Sequence, residues 1–140
     1  MENLLKIKEL TEMLSIRDEK LMEDEELFRK IFDINPVPMS ITTLEDGKYI
    51  KINQALLEVS GYTEEEVLDK SVNDMGVYQH PEDRIKIREE LLKGNCIKNR
   101  PIIFNVKNGK KLNVVFSADI VTINHIKYVL GVVLVKDEIC

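Results

Sequence analysis

Near the carboxyl end of the 140-residue chain lies the stretch Ile126-Lys127-Tyr128-Val129-Leu130-Gly131-Val132-Val133-Leu134-Val135. Nearly every residue in it is apolar, and its many β-branched side chains favour a β-strand. Successive side chains of a strand point to opposite faces of the sheet, so this strand is apolar on both sides. We therefore expect short helices to cover one face of the sheet, and an N-terminal helix, a second subunit or both to cover the other.

The flanking segments alternate apolar and polar residues with the period of strands, and two of the turns between them carry favoured hairpin pairs, Asp46-Gly47 and Asn108-Gly109. The predicted strands are Met39–Thr43, Tyr49–Ile52, Ile102–Val106, Leu112–Ile123 and Ile126–Val135. Three short helices are predicted between the second and third of them. The order predicts an α+β fold with a five-stranded antiparallel sheet, short helices on one face and a long N-terminal flanking helix.

Capping signals define the three short helices. Asn53 is a good N-cap for the first, which ends at Gly61, and Thr63-Glu64-Glu65-Glu66 is a capping-box pattern for the second. His80-Pro81-Glu82-Asp83 begins the third helix, with His80 as its cap and proline at the first helical position. The buried side of this third helix is predicted to carry Ile85, Leu91 and Leu92.

Residues 1–32 contain no glycine or proline and carry nine acidic against six basic side chains, a composition typical of a helix. Apolar residues recur every seven positions along one line, and the parallel line three residues later is half polar. We interpret this region as an amphipathic dimerisation helix, with the domain itself at 33–138; packing of the helix on its own domain is the open alternative. The residues assigned to dimerisation are Ile7, Leu10, Leu14, Leu21 and Phe28.

Composition excludes several classes of partner. A net charge of −5 disfavours binding to the negatively charged phosphate backbone, so no nucleic acid is expected as a partner. The longest apolar run, Tyr128–Val135, is far shorter than the roughly 20 residues that span a membrane. Two cysteines and the lack of a secretory signal predict a reducing, cytoplasmic location.

No catalytic motif stands out. The chain has no Gly-x-Ser-x-Gly, phosphate-binding glycine loop or His-Glu-x-x-His pattern, and capping explains Asp83 near His80, so we expect no enzymatic activity. His80, Cys96 and His125 lack a close pair at ligand spacing, so no metal site is predicted.

Six segments, in this order and spacing, resemble the PAS family of sensory modules. They are Asn35-Pro36-Val37-Pro38-Met39, Asp46-Gly47, Tyr49-Ile50-Lys51-Ile52-Asn53-Gln54-Ala55, Gly61-Tyr62-Thr63-Glu64-Glu65-Glu66-Val67, His80-Pro81-Glu82-Asp83-Arg84 and Lys107-Asn108-Gly109-Lys110. The resemblance covers Leu27 to Asp137. It implies a sheet that cups a pocket, a flanking helix that mediates dimerisation, and a role in sensing a signal.

On this resemblance we expect a signal-sensing or regulatory module that binds a small apolar ligand, forms a homodimer, or both. The expected dimer interface is the helix of residues 1–32 together with the outer face of the last strands. The alternative is a ligand-free protein-interaction scaffold whose pocket is filled by its own side chains. After Asp137 the chain departs from the family's Asp-Ile/Val-Thr exit motif. The protein is therefore either a stand-alone regulator of a downstream signalling protein or a piece of a longer sensor.

No cofactor is predicted. The light-sensing branch of the family carries its cysteine in an Asn-Cys-Arg-like motif on a central helix, whereas Asn95-Cys96-Ile97 follows the last short helix. A haem-binding member would need an imidazole as axial ligand. His80 matches the family's ordinary helix start and His125 lies in a predicted turn, so haem and flavin are both disfavoured.

Strand parity and helical phase point one set of side chains toward the space between sheet and helices. The apolar candidates are Ile41, Leu57, Met75, Ile87, Leu91, Phe104, Phe116 and Val133. Asn53 is a polar candidate in addition to its capping role. Because this lining contains no Trp, Arg or Lys, the expected ligand is small and largely apolar rather than a charged carboxylate; an ordinary packed core is the competing interpretation.

Overall fold

The structure, a computed structural model, describes residues 23–139. The chain divides into two units, with the boundary between Asp33 and Ile34. Residues 23–34 are helical (α1), and the rings of Phe28 and Phe32 stack with their centroids 5.9 Å apart. Phe28 is 45% exposed. The other residues assigned to dimerisation lie outside the described residues: Ile7, Leu10, Leu14 and Leu21.

The second unit is built on the predicted five-stranded antiparallel sheet, with strand order β2-β1-β5-β4-β3. Its strands are β1 (Met39–Thr43), β2 (Tyr49–Ile52), β3 (Ile97–Asn105), β4 (Lys111–Ile123) and β5 (Ile126–Ile139). The predicted bounds of β1 and β2 are confirmed. The strand β3 begins at Ile97 rather than Ile102, and a register shift lies between Ile97 and Arg100. Backbone pairing with β4 therefore extends through a segment whose sequence shows little apolar alternation.

Three short helices connect β2 to β3: α2 (Gln54–Ser60), α3 (Glu64–Val67) and α4 (Pro81–Leu92). The predicted caps of the first two are confirmed. The Asn53 side chain accepts from the Leu56 amide, and Thr63 and Glu66 form the reciprocal capping box. His80 stands at the N-cap of α4 as predicted, but its side chain makes no capping hydrogen bond.

Among residues 23–139, the stretch of β5 that we expected to be covered on both sides is buried on one face and partly exposed on the other. Val129, Gly131 and Val133 are buried on the inner face. On the outer face burial is only partial at Leu130 and Val132, and Leu134 is 49% exposed. No helix among residues 23–139 is long and apolar enough to cross a membrane.

Candidate functional site: a cavity between the sheet and the short helices

A cavity lies inside the second unit, between the inner face of the sheet and the short helices. The volume open to the centres of water molecules is about 70 Å³. One water needs about 10–15 Å³ on this measure, so the cavity holds on the order of five waters. Its apolar lining is drawn from both layers and includes Ile52, Leu56, Val67, Val72, Met75, Ile87, Phe104, Val114, Phe116, Val129 and Val133.

Polar groups break this apolar lining at a few places. Ser40 and Thr42 line the cavity from β1, Tyr49 lines it from β2, and Tyr78 lines it from the segment before α4. None of these four hydroxyls makes a hydrogen bond to another described residue, although all four residues are buried. The cavity therefore presents hydroxyl groups whose hydrogen-bonding capacity is still available.

Arg84 is the single charged side chain among the described residues that line the cavity. It lies in the first turn of α4 and is only 8% exposed. Its Nη2 donates to the Leu44 carbonyl oxygen at 3.0 Å, and within residues 23–139 the guanidinium makes no other hydrogen bond and no ion pair with a carboxylate. Burial lowers the pKa of Arg84, because a charged group loses its hydration there.

The turn between β1 and β2, which supplies the Leu44 carbonyl, also packs against this guanidinium through Gly47. A Cβ built on Gly47 would lie 2.8 Å from Val72 Cγ2 and 3.2 Å from Arg84 Nε. Gly47 also has φ +65°, a conformation in which a side chain is strained. Glycine at this position thus supplies both the turn and the room for the arginine.

One helical turn further on, Arg88 makes hydrogen bonds to the same β1–β2 turn but does not line the cavity. Its Nε donates to the Leu44 carbonyl oxygen at 3.3 Å, and its Nη2 pairs with the Glu45 carboxylate at 2.6 Å. Two arginines therefore share one carbonyl, but only Arg88 has a carboxylate partner. Arg84, which is the one of the two that lines the cavity, forms no ion pair within residues 23–139.

Burial also shifts the pKa values of the two buried tyrosines. It raises the pKa of Tyr78 to about 12, with Arg84 opposing the shift and Asp83 adding to it. It raises the pKa of Tyr49 as well, with further contributions from Tyr78 and Tyr62. Both phenols are therefore neutral at physiological pH and can donate a hydrogen bond into the cavity.

The structure brings five of the nine predicted pocket residues to the cavity: Met75, Ile87, Phe104, Phe116 and Val133. Leu91 and Leu57 instead pack in or against the core beside it. Ile41 lies outside the cavity lining for a different reason. Ser40 and Thr42 line the cavity, so the residue between them points to the opposite face, where it is buried. Both faces of β1 are buried, so apolar character alone does not indicate which of its residues face the cavity.

Asn53 does not line the cavity either, because all of its side chain is used in structural bonds. Its Oδ1 accepts from the amides of Leu56 and Met39, at 3.0 and 2.9 Å. Its Nδ2 donates to the carbonyl oxygen of Val37 at 2.8 Å. The prediction of a helix cap is confirmed, and the structure places Asn53 outside the cavity lining.

The expectation that the lining contains no arginine is also wrong. We placed Ile85 on the buried side of α4, but Ile85 and Leu92 are exposed, and the helix buries Arg84, Ile87 and Leu91. The spacing of apolar residues along a helix predicts which apolar side chains are buried, and it assigns arginine to the exposed side. It therefore could not predict the burial of Arg84. The one available signal was the position of Arg84 at the end of the His80–Arg84 segment.

The residues considered for cofactors lie away from the cavity. Cys96 is exposed, and neither it nor His80 or His125 is among the lining residues. The described lining offers no thiol for a flavin adduct and no imidazole for a haem iron. The described lining therefore fits neither a cysteinyl-flavin adduct nor a haem held by an axial imidazole.

A PAS domain family model matches residues 36–138. No curated protein matches the chain. Among solved structures, the PAS domain of an HTR-like protein from Haloarcula marismortui is 18% identical, with a TM-score of 0.64 over 87% of this chain and 99% of that one.

Two further structures show the same fold. A domain of a sensory box sensor histidine kinase/response regulator from Geobacter sulfurreducens is 22% identical, with a TM-score of 0.66 over 84% of this chain and 96% of that one. The LOV protein of Rhodobacter sphaeroides is 18% identical, with a TM-score of 0.67 over 81% of this chain and 67% of that one. With the family model, the five-stranded sheet and the matching segment order in agreement, the chain belongs to the PAS domain family of sensory and signalling modules.

Proposed function

We propose that the protein is a sensory or regulatory module that binds a small, mostly apolar molecule in the cavity and acts without catalysing a reaction of its own. The observation that carries this proposal is the open volume of about 70 Å³ inside the core. Protein interiors are close-packed, with few voids larger than a water molecule. A cavity of this size, lined by apolar side chains and a few hydroxyls, has the character of a ligand site.

The alternative is a ligand-free scaffold whose own side chains fill the pocket. The open volume argues against that alternative, because side chains from both layers surround the space without closing it. Native mass spectrometry of freshly purified protein, with an absorption spectrum of the same sample, separates the two. A co-purified mass that is lost on denaturation supports the proposal. A clean apo mass with no absorption beyond the protein band favours the scaffold.

Adjacent positions of β5 supply a matched pair of variants for this measurement. Val133 lines the cavity, whereas Leu134 points to the opposite face. Val133→Phe fills the cavity and should abolish the co-purified mass. Leu134→Phe adds the same ring to the outer face and should retain the ligand. Equal retention in both variants would show that the bound molecule lies elsewhere.

We also propose that the module forms a homodimer through its N-terminal helix and acts on a downstream signalling protein. Leu27 and Ile31 of α1 are exposed, an apolar surface of the kind that association buries. The seam predicted from residues 1–32 continues this apolar character. A cytoplasmic location belongs to the same proposal, and the exposed free thiol of Cys96 is compatible with a reducing compartment.

Sedimentation of the full chain tests the dimer. Ile31→Lys places a charge on the proposed interface and should shift the protein to monomer. Ile85→Lys makes the same change on α4, at a residue of similar exposure (59% against 51%) outside the proposed interface. Retention of the parent oligomeric state by Ile31→Lys, or an equal shift in both variants, would contradict the assigned interface.

A further inference from the structure

The cavity contains one buried positive charge and no negative one. Arg84 is its only charged lining residue within the described chain, and no Asp or Glu is among the others. Buried charges in proteins are normally paired, because the loss of hydration is costly unless an opposite charge or several hydrogen bonds replace the water. Here a single backbone carbonyl, that of Leu44, accepts from the guanidinium. Within residues 23–139 no carboxylate forms an ion pair with this guanidinium.

Two carboxylates that act electrostatically on Arg84, those of Glu45 and Asp46, do not form an ion pair with its guanidinium. Glu45 is engaged by Arg88 at 2.6 Å, and Asp46 forms no ion pair among the described residues. Both carboxylates belong to the exposed β1–β2 turn, outside the cavity lining. Both carboxylates favour the charged form of Arg84. Water screens exposed charges, however, so these groups act on Arg84 more weakly than a charge within the cavity would.

Hydrogen-bond donors surround the same space. The hydroxyls of Tyr49 and Tyr78 make no hydrogen bond within residues 23–139, and Tyr78 is close enough to Arg84 for the two to interact electrostatically. A guanidinium with two neutral phenols is a donor-rich arrangement. It matches a ligand group that accepts several hydrogen bonds and carries negative charge.

We propose that the natural ligand carries a carboxylate, which pairs with the Arg84 guanidinium and accepts from the Tyr78 or Tyr49 hydroxyl, while its apolar body lies against Phe104, Phe116 and Val133. This inference rests on the proposed function, since it assumes that the cavity is a ligand site. The planar fork of a guanidinium matches a carboxylate with two parallel hydrogen bonds. The inference revises the sequence-based expectation of an uncharged ligand.

The cavity volume sets the size of the molecule. Space for about five waters corresponds to roughly 150 Å³ of liquid volume, the size of a cavity that accepts benzene. The ligand class is therefore a monocarboxylic acid of roughly six to nine non-hydrogen atoms, aromatic or short-chain aliphatic.

Calorimetric titration with two pairs of probes tests the charge: benzoate against benzamide, and hexanoate against hexanamide. Each pair has nearly the same shape and differs in charge. Wild-type protein is expected to bind each carboxylate at least about tenfold more tightly than its amide, the usual scale for a charge-assisted hydrogen bond. This comparison needs no variant, so it does not depend on the folding of any substitution.

Two arginine variants then test which side chain is responsible for the preference for carboxylates over amides. Arg84→Met and Arg88→Met each remove a bond to the same Leu44 carbonyl, but only Arg84 lines the cavity. Arg84→Met should abolish the preference for carboxylate and Arg88→Met should keep it. Tyr78→Phe and Tyr49→Phe, which retain the ring, should reduce carboxylate affinity by a smaller factor.

The possible results are distinguishable. Amides that bind as tightly as carboxylates, or a preference that survives Arg84→Met, would overturn the assignment of a carboxylate and leave the cavity standing as a ligand site. Failure of all four probes to bind at millimolar concentration would overturn the assignment too. If native mass spectrometry also showed a clean apo mass, the proposed function itself would fall.

Discussion

The ring of Phe116 lies against Gly131 on the neighbouring strand, so closely that a Cβ on the glycine would be 2.9 Å from Cε2 and 3.0 Å from Cζ. Both residues line the cavity, Phe116 from β4 and Gly131 from β5. In the register of these strands Phe116 pairs with Val133, and Gly131 pairs with Ala118. The ring therefore reaches diagonally across the sheet into the space left by the missing side chain, and this packing shapes one wall of the cavity.

Gly131→Ala should destabilise the protein by about 1–3 kcal/mol, because the added methyl group forces the Phe116 ring out of its place in a packed core. Urea unfolding followed by circular dichroism measures the free energy of unfolding. The double variant Gly131→Ala/Phe116→Leu supplies the control, since removing the ring relieves the contact. The cost of Gly131→Ala should then be smaller than in the wild type; an equal cost in both backgrounds would contradict this account.

Asn53→Ala should cost about 2–4 kcal/mol of stability. The variant removes the N-cap of α2 and also leaves the Met39 amide and the Val37 carbonyl without their side-chain partner in a buried site. Thr63→Ala, which removes an exposed cap of α3, is the matched comparison and should cost only about 1 kcal/mol. Similar urea midpoints for the two variants would show that the links to Val37 and Met39 contribute little.

Acid should remove the contribution of Glu66 to stability. The hydrogen bonds from Lys107 Nζ, at 2.7 and 2.8 Å, and from the Thr63 amide lower the pKa of Glu66 from 4.5 to about 2. A carboxyl whose pKa is lower in the folded state stabilises that state fully above pH 4.5, and this effect is lost as the pH falls toward 2.

The measurement for Glu66 is the urea midpoint of wild type and Glu66→Gln at pH 6, 4 and 3. The difference between them should be largest at pH 6 and shrink at pH 3, and added salt should reduce it because the pair is partly exposed. Lys107→Met, which removes the main cause of the shift, should weaken the same pH dependence. A difference that is constant with pH would argue against the pair.

Alkali should destabilise the protein through Tyr78. Burial raises the pKa of this phenol to about 12, so the folded state favours the protonated form. The resulting stabilisation is complete below the ordinary value of 10 and is lost as the pH rises from 10 toward 12. Tyr78→Phe should therefore lose less stability than the wild type between pH 9 and 11.5 in urea unfolding. Parallel losses in the two proteins would show that Tyr78 does not titrate as described.

Local signals in the sequence were sufficient for much of the fold. The bounds of β1 and β2, the caps at Asn53 and Thr63, and the turn that contains His125 depend on residues close together in the chain. A cap or a turn is decided by a few neighbouring side chains and backbone angles, so it can be predicted without knowledge of the rest of the molecule. The start of β3 could not be predicted in this way, because residues 97–101 join the sheet by pairing with β4 and have no alternating pattern of their own.

Predicting the cavity lining requires knowing which segment packs against each face of each strand and helix. Ile41 and Ser40 are both buried, but only Ser40 lines the cavity, and apolar character alone selected Ile41. Arg84 and Ile85 are neighbours on α4, and the charged residue is the buried one, because the β1–β2 turn supplies the Leu44 carbonyl 40 positions earlier in the chain.

Residue order and local chemistry thus established the strands, the caps and the family resemblance. Which side chains surround the cavity, and that one of them carries a positive charge, depended on contacts between segments distant in sequence. The physical reason is that burial is a property of packed layers, and a charged side chain can be buried wherever another segment provides it with a hydrogen-bond acceptor.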